Sequence, residues 1–253
     1  MRVAFVGKGG AGKSVIAGTF ARLLGASGER VLALDSDPMP GLAFSLGLDP
    51  ATLGDAGIPD EATVPAPDGE RPPYRLRPGL SGPDAVCRYA VQGPDGVRFL
   101  QLGKSRGQRG GSNRGHWAYQ QILEDLPGDG WSVVGDLPGG TRQPFYGWGR
   151  FADVVVVVAE PTASSMLSAR RLAGLARPGV EVVAVASKTR NAQDAATVAT
   201  RAGLPLRGAV PYDPAVAAAE RAGRAVLDTH PGADAVTAIR SLVDRLRAAE
   251  MCA

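Results

Sequence analysis

Apolar residues along this chain follow two periods. Short runs dense in β-branched residues alternate with longer stretches in which apolar positions recur every three or four residues. The runs Arg2–Val6, Val31–Asp35, Val97–Leu102, Ser132–Asp136, Asp153–Ala159, Glu181–Ser187 and Leu206–Val210 predict strands. The stretches Lys13–Leu24, His116–Asp125, Ser164–Leu175, Ala192–Arg201, Pro214–Ala222 and Asp234–Ala249 predict the helices between them. Val154-Val155-Val156-Val157-Val158 has no polar face, which suits a strand covered on both sides. Strand and helix in alternation predict an α/β fold, a doubly wound, mostly parallel sheet flanked by helices.

Residues 50–95 break this rhythm. They are rich in Pro, Gly, Asp and Arg, and predict loops and a short hairpin rather than a separate domain. A second irregular stretch, Gly103–Gly115, sets Lys104, Arg106, Arg109 and Arg114 among glycines and serines. The prediction is one domain over residues 1–253 with elaborations at about 50–95 and 103–115. With 253 residues, 44% of them hydrophobic, such a domain buries a core without disulfide staples. Two cysteines, Cys87 and Cys252, exclude a disulfide framework and a self-contained four-ligand metal site. A net charge of +3 is too small to imply nucleic acid or membrane by itself. The start runs straight into a glycine loop, too short for a signal peptide, and no apolar run is long enough to span a membrane. A cytoplasmic protein is therefore expected. Residues 239–253 are mildly amphipathic, and without a strongly basic polar face they predict a packed terminal helix.

The chemistry concentrates at Gly7-Lys8-Gly9-Gly10-Ala11-Gly12-Lys13-Ser14, between the first strand and the first helix. This is Walker A spacing, which makes the fold that of a P-loop NTPase. The backbone amides of Gly9, Gly10, Ala11, Gly12, Lys13, Ser14 and Val15 can curl around phosphate oxygens, and the helix dipole favours the same anion. Lys13 can reach the β- and γ-phosphates, and the Ser14 hydroxyl can ligate Mg²⁺. Lys8 is an addition that the spacing does not require. Lys-Gly-Gly-Ala-Gly-Lys-Ser resembles the deviant Walker A loop of the MinD, ParA and nitrogenase iron-protein class. That resemblance implies a homodimer in which Lys8 reaches the partner's nucleotide, a cation supplied in trans; otherwise Lys8 faces solvent at the loop edge.

Two acidic segments follow at strand ends, where α/β sheets bind ligands. Asp35-Ser36-Asp37-Pro38 looks like the class's switch I. The resemblance gives Asp37 the attacking water and Asp35 the support of Mg²⁺ or of the loop, although both are also ordinary turn or cap residues. Asp136-Leu137-Pro138-Gly139-Gly140 looks like switch II, with Asp136 holding Mg²⁺ through water and Gly140 sensing the γ-phosphate. The class often reads adenine with an Asn-Lys pair late in the chain. Here Ser187-Lys188-Thr189-Arg190-Asn191 stands at that place, and Pro211-Tyr212-Asp213 lies where the class wraps the base. Lys188, Pro211 and Tyr212 are thus the expected base contacts, and ATP is favoured over GTP.

Lys8–Ser14, Asp35–Pro38, Val97–Lys104, Asp153–Ser164 and Ala209–Leu227 together resemble the CooC-type accessory ATPases of carbon monoxide dehydrogenase maturation. Members of that family form ATP-linked dimers and help to insert nickel. They hold metal with a Cys-x-Cys motif after the middle strand, and residues 103–116 here contain no cysteine, which puts nickel in doubt. His116 and Cys87 remain as isolated candidate ligands, each equally a packed or incidental residue. Thr141–Trp148 replaces the family's Glu-His after switch II. Three functions follow: an ATP-switched dimer acting on a protein client, a small-molecule kinase or ATP-dependent ligase seating an anionic substrate on the basic stretch, and a ParA-like positioning ATPase. The low net charge argues against the last.

Overall fold

The computed structural model describes residues 1–36, 41–49, 53, 57–101, 114–128, 130–137, 149–176 and 178–250. The strands are β1 (Arg2–Val6), β2 (Val31–Asp35), β3 (Thr63–Pro65), β4 (Tyr74–Leu76), β5 (Val91–Gln92), β6 (Arg98–Gln101), β7 (Ser132–Asp136), β8 (Val154–Ala159), β9 (Glu181–Thr189) and β10 (Leu206–Pro211). Among the described residues, eight of them form one sheet in the order β10-β9-β8-β1-β7-β2-β6-β5. All its pairings are parallel except β5 with β6. β3 and β4 make a separate antiparallel hairpin.

The helices are α1 (Lys13–Ala26), α2 (Gly41–Ser45), α3 (Gly82–Tyr89), α4 (Arg114–Asp125), α5 (Ala163–Ala173), α6 (Ala192–Ala202), α7 (Pro214–Arg221), α8 (Val226–Thr229) and α9 (Asp234–Glu250). Strand side chains alternate between two cores, as the period of two requires. Ala4, Val6, Val155 and Val157 face α4, α5 and α6 through Ile122, Leu172 and Val198. Val3, Phe5, Val156 and Val158 face α1, α2 and α9 through Phe20, Leu42 and Leu242. The valine run of β8 is therefore covered on both faces. The terminal helix α9 buries Ile239, Leu242, Val243 and Leu246 against the sheet. Among the described residues no helix is long and apolar enough to cross a membrane.

Residues 57–101 hold more regular structure than loops and a hairpin. The hairpin is β3–β4, but α3 and the edge strand β5 are additions to that expectation. Ser81 caps α3 by accepting the Asp84 amide, and Pro83 stands in its first turn, where a missing N–H costs nothing. α4 carries this layer. Gln121 accepts the Leu76 amide at 2.7 Å, and Asp125 accepts that of Gly82 at 3.2 Å.

Candidate functional site

β1 ends at Val6, and the chain turns through residues 7–12 into α1. Gly7, Gly10 and Gly12 take φ of 151°, 83° and 90°, where a side chain is strained. At Gly7 a Cβ would also lie 2.2 Å from the Val158 carbonyl oxygen, so the loop leaves the sheet as glycine. The first turn of α1 contains no acidic residue to compete for an anion. A helix N-terminus behind such a loop is a phosphate cradle by construction.

β2 and β7 are neighbours, paired from Val31 with Ser132 to Asp35 with Asp136. Their two carboxylates therefore come side by side at the strand ends, both buried. The Ser14 hydroxyl donates to Asp136 Oδ2 at 2.5 Å. Asp35 Oδ2 accepts the Leu42 amide at 3.1 Å, holding α2 against the loop, where a Cβ on Gly41 would stand 3.0 Å from Ser14 Oγ. The Ser36 amide and hydroxyl both donate to the Asp136 carbonyl oxygen, at 3.2 and 3.0 Å. Ser14, Asp35 and Asp136 are thus brought together as hard oxygen donors, a set that suits Mg²⁺. Beneath this end of the sheet, burial raises the Tyr119 phenol well above its ordinary pKa, with the Asp35 charge adding to the rise.

A cavity of about 370 Å³, the size of a small-ligand site, is lined by Gly10, Lys13 and Ser14 of the loop together with Lys188, Pro211 and Tyr212. Lys188 enters it by way of a bulge. Val210 pairs with Ser187 and Pro211 with Thr189, leaving Lys188 as the extra residue of β9, at φ 54°. Its ammonium lies 2.6 Å from the Gly10 carbonyl oxygen and 2.6 Å from Glu160 Oε1, on the phosphate loop. Tyr212 is half-exposed, with the Arg190 guanidinium 5.6 Å from its ring centre. Asp213 accepts the Ala215 and Ala235 amides at 2.9 and 3.1 Å, so it ties α7 to α9. Lys8 is not among the residues that line this cavity; it donates to Ser164 Oγ at 2.9 Å, one turn before the exposed Leu167 of α5.

Asp37 and Gly140 lie outside the described residues, as do residues 103–113, 141–148 and the side chain of His116. Cys87 is exposed. Among the described residues no cluster of three or more His, Cys, Asp and Glu could hold a metal ion. Sequence reasoning left Glu160 without a role. Its place at the end of an apolar strand, where these sheets bind ligands, was the available signal.

Residues 3–226 match the CobQ/CobB/MinD/ParA nucleotide-binding domain. The chain belongs to this family. Over 244 residues it is 30% identical to the carbon monoxide dehydrogenase accessory protein CooC of Rhodospirillum rubrum, with 91% of each chain covered. Among solved structures it resembles a ParA family ATPase from Chlorobium tepidum TLS, with a TM-score of 0.70 at 17% identity over 97% of this chain and 98% of that one. It likewise resembles the septum site-determining protein MinD from Pyrococcus horikoshii OT3, solved with Mg-ADP. There the TM-score is 0.66 at 18% identity, over 97% and 95% of the two chains. These two likenesses establish the fold, and the family places this chain among nucleotide-binding ATPases of the MinD/ParA type.

Proposed function

We propose that this chain is a Mg²⁺-dependent ATPase of the cytoplasm that works as an ATP-gated homodimer and switches its hold on a protein client. The reading takes residues 1–253 as one P-loop domain. The observation that carries it is Lys8, a second lysine on the phosphate loop whose ammonium bonds Ser164 and which does not line its own protomer's cavity. A cation so placed is of no use to the nucleotide in cis, and it is well placed to meet charge on a nucleotide held by a second copy.

Within one protomer the loop amides of residues 9–15 hold the phosphates, and Lys13 neutralises charge between the β- and γ-positions. Ser14 and Asp136 would hold Mg²⁺, with Asp35 steadying α2 beside them; when bound, the ion would supply positive charge against that of the transferring group. Asp37 orients the attacking water, and the Gly140 amide responds to the γ-phosphate. Pro211 and Tyr212 line the part of the cavity that takes the base, adenine in this reading.

Phosphate release and nucleotide titration test these roles together. Lys13→Ala is expected to remove nucleotide binding. Asp37→Ala is expected to keep binding and slow hydrolysis by about 100-fold or more, the scale of a lost positioning or proton-transfer group. Wild-type hydrolysis in Asp37→Ala would remove it from the water-handling role. Hydrolysis indifferent to Mg²⁺ would refute the metal assignment.

A further inference from the structure

Lys188 has three unusual features at once. It is a non-glycine residue with φ 54°, it is the unpaired residue of a β-bulge, and its ammonium is shared between a backbone carbonyl and a carboxylate. Bulges beside functional sites re-aim a side chain, and backbone strain there is retained by what the side chain then contacts. Here it contacts the Gly10 carbonyl oxygen at 2.6 Å and Glu160 Oε1 at 2.6 Å. The side chains of Lys188 and Glu160 are 45% and 23% exposed, so their ion pair contributes little to stability. Its consequence is geometric. A carbonyl oxygen turned toward an ammonium is not turned toward a phosphate, and a loop that binds anions through its amides must keep its carbonyls away from them.

We propose that Lys188, steadied by Glu160, is a positioning residue that braces the phosphate loop from the ends of β8 and β9, and is not a reader of the base. The inference rests on the nucleotide-binding reading of the same cavity. It separates two jobs that the motif order had merged: β10 and α7 supply the walls around the base, and β8 and β9 set the conformation of the loop that takes the phosphates. Glu160 orients the ammonium, which would otherwise be free to swing into the cavity.

A ligand without a base distinguishes the two roles. Binding of ADP, GDP and inorganic pyrophosphate, each with Mg²⁺, is measured by calorimetry on the wild type, Lys188→Met and Glu160→Gln. A brace predicts that Lys188→Met weakens all three by a similar factor, about tenfold for one lost charge-assisted contact. Glu160→Gln keeps the bulge and the lysine, and shifts all three in the same direction by less. Circular dichroism melts establish that both variants are folded. Pyrophosphate binding unchanged in Lys188→Met while ADP weakens would overturn the brace and return Lys188 to the base. If the wild type bound none of the three, the nucleotide reading would fall and the brace with it.

Discussion

Tyr119 sits in the core beneath the ends of β2 and β7, 3% exposed, and its hydroxyl has no hydrogen-bond partner among the described residues. A buried donor left unmade costs on the order of 1–3 kcal/mol, and its removal leaves no partner stranded. Tyr119→Phe should therefore raise stability by about 1 kcal/mol, read as a shift in the urea midpoint at unchanged m-value. The pH dependence has a definite sign. The phenol's folded pKa is raised, so the unfolded state loses its proton first, and wild-type stability falls as pH rises past the ordinary tyrosine value of about 10. The phenylalanine variant lacks that loss, so the gap between the two should widen above pH ~10; a lower midpoint at neutral pH would mean that the hydroxyl has a use. Nothing in the sequence marks Tyr119, because the cost depends on what packs around it. The phosphate loop was legible for the opposite reason: its eight residues are contiguous, and their spacing is their chemistry. Lys188 lies between these cases, visible as a late basic residue, while its destination depends on a bulge set by pairing with β10.

α1 shows how an element can be placed correctly and still be half understood. Its bounds follow from the loop before it and the apolar period within it, and the expected start at Lys13 is the observed one. Its packing face was not legible. Gly18, Arg22 and Gly25 follow helical spacing and share one side of the helix. A Cβ at Gly18 would meet Ser45 of α2 at 2.6 Å, and one at Gly25 would meet the Asp95 carbonyl oxygen at 2.3 Å. Between them the buried Arg22 pairs with Asp95 at 2.7 Å and Asp228 at 2.6 Å, tying α1 to the turn before β6 and to α8. Arg22→Ala should cost about 3 kcal/mol, because it leaves two partly buried carboxylates unpaired. Thermal and urea melts check this; a loss under 1 kcal/mol would mean that water replaces the guanidinium easily. The same limit applied to residues 57–101. Their Pro and Gly content hid α3 and β5, whose existence depends on contacts with α4 and β6 rather than on local pattern.

At the scale of the whole molecule, the alternation of strand and helix implied a mostly parallel, doubly wound sheet, though not its strand order, and the site falls where such a sheet puts it, at the carboxyl ends of β1, β2 and β7. What one protomer leaves unused is Lys8, paired with Ser164 on the surface one turn before the exposed Leu167. An exposed lysine–serine contact of this kind is weak, so exchanging it for a partner's phosphate is easily favoured. The most direct test is molar mass by light scattering, first with Mg-ADP and then with a non-hydrolysable ATP analogue. A monomer that becomes a dimer with the analogue, and fails to do so in Lys8→Ala, is the predicted result. An unchanged mass in both nucleotide states would contradict the ATP-gated dimer and leave Lys8 a surface residue.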